Sequence, residues 1–232
     1  AADGLLALAR GALHEVVAPG SADAAAAAGF ALGLALRAAK GRPLLWARQD
    51  FIDSEAGLLS GMGLAAFGLD PAALVAVRAR DATGVLRALA EGGRSPALGA
   101  AIGEIWGDPP VLDLTASRRL SLAARGSGVT LILLRLAAAP APSAAETRFE
   151  ARAAPSSSLE ANAPGAPAFA VTLLRQRAGI PGRRWHLEWD RDHRTFRPIA
   201  IGASRAAPLP RPVAPLPADR PDGAAGGVRR AG

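Results

Sequence analysis

One stretch constrains this chain more than any other. Residues 14–30 read HEVVAPGSADAAAAAGF, a short apolar strand, a Pro–Gly turn, and a helix with no charged residue between Ala24 and Leu36. A helix that is apolar on every side is buried between other elements. The segment therefore predicts a strand over LHEVVAP and a core helix from Ala22 to about Ala39, with Ser21 as N-cap and Asp23 in the positively polarised first turn. Strand, glycine turn and buried helix also form the scaffold of the phosphate-binding loop GxxxxGK[ST]. Counted from Gly20, the positions for Gly, Lys and Ser/Thr hold Ala25, Ala26 and Ala27.

Strands and helices alternate through residue 136. RPLLWAR reads as a second buried strand, followed by a glycine-bearing helical patch, SEAGLLSGMGLAAFGLD, and a strand, ALVAVRA. DATGVLRALAEG reads as an amphipathic helix capped near Asp81 and stopped by Gly92 and Gly93. ALGAAIGEIW is another apolar run. LDLTASRRLSLAARGSG reads as a helix capped near Asp113 or Thr115 and ended by Gly126 or Gly128, and VTLILLRL as a further strand. Such alternation predicts a mostly parallel central sheet flanked by helices. The pattern then changes. ETRFEARAAP, AFAVTLLRQRAG, RWHLEWD and TFRPIA are strands with no helix among them, expected to extend one edge of the sheet as antiparallel strands. Residues 1–202 are read as one domain, and 203–232, a Pro/Ala/Gly/Arg-rich stretch, as a disordered or polyproline-like tail whose PLPRPVAPLP could dock in an aromatic groove.

Composition narrows the chemistry. The chain has no cysteine, which removes disulfides, thiolate catalysis and zinc ribbons. His14, His186 and His193 are too scattered to read as a metal cluster. The formal net charge is +7, with Lys40 the one lysine among 27 basic residues. Arginine suits phosphate or carboxylate recognition, and equally the codon usage of an Ala/Gly/Arg-rich proteome. Residues 203–232 hold five Arg and two Asp, so the tail carries +3 of that charge and the body +4. Nucleic-acid contact is compatible with this balance but not demanded by it. The 13 uncharged residues Ala24–Leu36 are too few to span a bilayer. With no visible signal peptide, the expectation is a soluble cytoplasmic protein that takes no membrane partner.

A working phosphate loop needs backbone N–H groups aimed at the phosphates, a lysine for their charge, and a hydroxyl for Mg²⁺. Gly20, Ser21 and the helix start keep a weak anion site conceivable, but Ala26 and Ala27 remove the ammonium and the hydroxyl, and Asp23 would repel a triphosphate. The reading is a vestigial loop, with no catalytic residue, no cofactor and no metal site. What remains are surfaces. Arg118 and Arg119 are adjacent on a helix and point about 100° apart, so they cannot both be buried. Arg175, Arg177, Arg183 and Arg184 lie close in sequence, with Trp185 and Trp189 nearby. Trp185, Leu187 and Trp189 share one strand face, a stripe that reads as core ahead of interface. These six arginines are the candidates for contact with a protein partner or DNA.

LHEVVAPGS with AAGFALGLA, GLLSGMGLAAFGLDPAALVAVRA, DLTASRRLSLAARGSGVTLILLR, TRFEARAAPS and VTLLRQRAGIPGRRWHLEWD together resemble the ImuA family, over roughly residues 11–200. The resemblance implies a RecA-like fold. It also implies that ATGVLRAL corresponds to the segment that supplies the water-activating glutamate of RecA-type ATPases, with Val85 in its place, and it makes Glu104 the nearest candidate for the acidic residue of a magnesium site. The implied function is an accessory, non-catalytic role in SOS-induced mutagenesis and translesion synthesis. The implied partners are an ImuB-like inactive Y-family polymerase and an error-prone C-family DNA polymerase, with RecA itself or single-stranded DNA as further candidates. Two alternatives remain open at this point: a SulA-like cell-division inhibitor acting on FtsZ, and a RecA-like DNA-dependent ATPase.

Overall fold

The computed structural model describes residues 6–199 apart from 164 and 178; the expected tail lies outside them. In chain order the elements are β1 (Leu13–Ala18), α1 (Ala24–Ala39), β2 (Leu44–Gln49), α2 (Ile52–Ala56), α3 (Gly61–Ala66), β3 (Leu74–Ala79), α4 (Ala82–Arg94), β4 (Ala100–Trp106), α5 (Leu114–Ser127), β5 (Thr130–Leu136), β6 (Thr147–Ala153), β7 (Ala168–Gln176), β8 (Arg184–Asp190) and β9 (Thr195–Pro198). They build one nine-stranded sheet in the order β3-β2-β4-β5-β1-β6-β7-β8-β9. Six strands are parallel and the last three add antiparallel.

The expectation for β6 is corrected by this topology. β6 runs parallel to β1, with His14 opposite Thr147, and only its other edge, toward β7, is antiparallel. A parallel return normally needs a crossover helix. Here the loop 137–146 makes it without one. Its small residues let it lie against α5, where the Ala144 N–H donates to Ser117 Oγ at 3.0 Å and Ala145 is fully buried. A connection without a helix carries no periodic signal, so the sequence pattern reads as a hairpin.

The core has two layers. On one face α1 packs with Phe30, Trp46, Ile102, Phe149, Phe169, Trp189 and Phe196; on the other, α4 and α5 pack with Val85, Leu89, Leu120, Leu131 and Leu133. α1 is apolar on more than one side because strands from β2 across to β9 contact it while Phe67, just after α3, closes on it at Gly29, where a Cβ would sit 3.1 Å from the Phe67 ring. Counting Asp23 and Arg37 in, Ser21–Ala39 is long and apolar enough to cross a membrane by length and composition, and 56% of it is buried inside the fold, as in a core helix. Gly92 and Gly93 do not stop α4 but lie within it. A Cβ on Gly93 would sit 2.9 Å from Leu131 Cδ1, so the glycines allow the helix to approach the sheet closely.

Candidate functional site

The C-terminal ends of the parallel strands, beside the start of α1, are where this architecture places ligands. β1 ends at Ala18, and the chain turns through Pro19 and Gly20 into a 3-10 turn, Ser21–Asp23, that runs directly into α1. The Asp23 N–H donates to Gly20 O at 3.1 Å, and the Ala24 N–H donates to Ser21 O. Two of the amides that a phosphate loop would turn on its ligand, those of Asp23 and Ala24, are thus consumed inside the turn. Ser21 does not cap α1: the N-cap position falls on Asp23, which makes no side-chain cap bond there. Its carboxylate faces β6 instead, accepting from the Ala153 N–H at 3.2 Å with Arg152 3.8 Å away. Asp23 is therefore not the repulsive group over the turn that its position suggests. Ala25 is exposed, Ala26 half-buried, and Ala27, the hydroxyl position, fully buried in the α1 core.

Beside the turn, a cavity of about 290 Å³ opens between α1, the α2–α3 segment and the ends of β2 and β4. Its floor is ionic. Arg48 and Glu104 sit opposite each other in the β2–β4 register. Arg48 Nη2 donates to Glu104 Oε1 at 3.2 Å, and Arg48 Nε lies 3.1 Å from Glu104 Oε2. Trp46 Nε1–H donates to Glu104 Oε2 at 2.9 Å. Arg48 also bridges to Asp53 at 2.9 Å and donates to Gly57 O at 3.0 Å, while exposed Arg78 closes on Asp53 at 2.6 Å. Burial pushes the Glu104 pKa up, and the Arg48 charge with the Trp46 and Arg48 hydrogen bonds pulls against it.

Glu104, the candidate for a magnesium site, shares the α1 face of the sheet with Ile102, but both its oxygens are engaged within the protein. Val85 lies on α4, buried on the opposite face of the sheet, so it does not stand where a residue could activate water beside the β1–α1 turn. The donors an ATP–magnesium complex requires do not fit these residues. Two turn amides are internally bonded, methyl groups replace ammonium and hydroxyl, and the nearby carboxylate is neutralised by a guanidinium. Arg48, Asp53 and Arg78 escaped the sequence reading; the available signal was a lone Arg in LLWAR and a lone Glu in AAIGEI, two otherwise apolar runs.

The six candidate arginines separate into three places. Arg118 and Arg119 are both exposed on α5 but line different depressions: Arg118 faces β7, and Arg119 faces α4. Arg175 and Arg177 reach the α5 side because of a β-bulge. Between Arg148 and Phe149 the β6–β7 register shifts, so Arg175 pairs with Arg148 while Leu173 pairs with Phe149, and alternation is reset by one residue. Arg175 Nη1 then donates to Ser143 O at 2.7 Å, and Arg177 lies 3.8 Å from Glu146. Arg183 and Arg184 are exposed at the start of β8, with the Arg183 guanidinium 5.6 Å from the Trp185 ring centre. Leu187 and Trp189 are core, and Trp185 is half-buried against the same cluster.

No protein-family model matches the chain, and no curated protein matches it. Among solved structures, the chain is similar to a crystal structure of the RadB recombinase, with a TM-score of 0.56 over 85% of this chain and 96% of that one, at 14% identity. That likeness shows the fold. The chain has a RecA-like α/β fold, with a mostly parallel central sheet, flanking helices and antiparallel C-terminal strands.

Proposed function

We propose that this chain is a non-catalytic accessory protein of SOS-induced mutagenesis, an adaptor in a translesion assembly with an ImuB-like inactive Y-family polymerase and an error-prone C-family polymerase. One observation carries the non-catalytic part: two amides of the β1–α1 turn are bonded within it and alanines hold the lysine and hydroxyl positions, beside a Glu104 carboxylate already held by Arg48. A RecA-like body built that way works through the surfaces it offers. The resemblance to the ImuA family supplies the identity of the partners, and a cytoplasmic setting is proposed with it. The reading requires no cofactor.

Size-exclusion mixing with a full-length ImuB-type protein should yield a complex, and two unshifted peaks at micromolar concentration would refute the adaptor reading. In parallel, ATP with Mg²⁺ should leave the unfolding transition where it is. A nucleotide present at a hundred times its dissociation constant would stabilise the fold by about 2.7 kcal/mol, so such a shift, or ATP turnover lost on changing Gly20 or Glu104, would favour the RecA-like ATPase instead.

A further inference from the structure

A groove that no sequence motif marks runs between α5 and the end of β7, with a volume of about 370 Å³. Leu114, Arg118, Ser121, Leu122 and Arg125 contribute to it from one helix. Their spacing puts them on a single stripe, because positions three, four and seven apart share a helix face. Arg175 and Arg177 stand on the far wall, brought there by the bulge in β7. Among the described residues, no ion pair joins Arg118 or Arg125 to an acidic residue, while Arg177 lies 3.8 Å from Glu146.

The apolar share of this wall is also exposed. Leu122 is 66% and Leu114 38% accessible, and they interleave with the arginines along about 16 Å of helix. Among the described residues no aromatic ring lines the groove, whereas binding to single-stranded nucleic acid relies on rings that stack on bases. Cations alternating with leucines complement a peptide that alternates carboxylates with apolar side chains. Guanidinium forks hold the carboxylates, and the leucines accept the apolar residues.

We infer that this groove docks an acidic, leucine-bearing segment of a partner protein, about three helical turns long. The inference deepens the adaptor reading by assigning its docking surface, and it rests on that reading for taking the ligand to be a protein. Charge complementarity of this kind sets encounter rate and specificity, so binding weakens as salt rises.

The test uses the full chain, a fluorescein-labelled synthetic peptide with Glu and Leu at helical spacing, its Lys-for-Glu counterpart, and labelled oligothymidylate. The acidic peptide should bind and the lysine peptide should not. Arg118→Glu combined with Arg125→Glu should weaken binding about tenfold or more, while Arg119→Glu and the Arg183→Glu, Arg184→Glu pair leave it unchanged, with all variants melting like the parent. Loss of oligothymidylate binding in the first double variant, with no peptide binding in the parent, would overturn the inference in favour of a nucleic-acid groove. A complex with the ImuB-type protein that survives that double variant would overturn the inference and leave the adaptor reading standing. Peptide binding without any such complex would do the reverse.

Discussion

Replacing Arg48 with methionine tests whether the strand-end cavity is a structural plug. The Arg48 side chain is 4% exposed, and its guanidinium is shared between Glu104, itself almost fully buried, and Asp53. Without it, Glu104 keeps only the Trp46 N–H, and the Gly57 carbonyl loses its donor. Removing one member of a buried ion pair costs about 3–5 kcal/mol, and in a body of this size each kcal/mol lowers the midpoint by about 2–4 °C. Arg48→Met should therefore melt roughly 10 °C below the parent. The pH dependence gives a second reading. Burial already raises the Glu104 pKa, and Arg48 opposes that; deleting Arg48 raises it further. A carboxyl whose folded pKa lies above its unfolded value contributes stability at low pH that is lost as pH rises through the folded pKa. The deficit should thus be larger at pH 8 than at pH 5, and adding Glu104→Met should recover more than half of it. Thermal melts and urea unfolding, both followed by tryptophan fluorescence, measure all three. A deficit below about 1 kcal/mol with no pH dependence would mean the network is not holding this end of the sheet together.

Two further outcomes follow from the core. Gly33→Ala on α1 would place a Cβ 2.6 Å from Phe196 Cζ and 3.0 Å from Trp189 Cε3, among rings with no room to move. Overpacking costs about 1–3 kcal/mol against a helix-propensity gain of up to about 1, so chemical denaturation should show net destabilisation, and a more stable variant would contradict the packing described. His14 is held neutral: Nε2–H donates to Ala9 O at 2.9 Å and Nδ1 accepts from the Thr147 hydroxyl at 2.8 Å. Burial lowers its pKa, with the Ala9 hydrogen bond and Glu146 pulling the other way. A folded pKa below the unfolded one gives stability that is complete above pH ~6.5 and lost as pH falls through the folded value, at up to about 1.4 kcal/mol per pH unit. His14→Gln should flatten that slope in urea titrations between neutral pH and about pH 5, and parallel slopes would refute the assignment.

Much of the fold was legible because its signals are local. The all-apolar α1 announced a core helix, Asp81 and Asp113 announced helix starts and do cap them through the Gly84 and Ala116 N–H groups, and the alternation of elements implied a parallel sheet. β6 was misread because the loop before it carries no period, and Gly92 and Gly93 because a glycine that admits a close neighbour is spelled like one that ends a helix. The six arginines were named as one class of surface residue. Nothing in their spacing separates Arg118 from Arg119 by destination, and Arg125, seven residues after Arg118, went unread although helical spacing puts the two on one face.

The sequence alone determined that triphosphate chemistry has no ammonium or hydroxyl at Ala26 and Ala27, because those groups are absent from the side chains themselves, and it determined that α1 must be enclosed, because no polar face exists to meet water. Tertiary structure decided the rest. It turned Asp23 toward β6, paired Glu104 with Arg48 across two strands 56 residues apart, and through one inserted residue in β7 swung Arg175 and Arg177 across to α5. Each of these depends on register between segments distant in the chain, and register is set by how whole faces pack rather than by any residue's own preference.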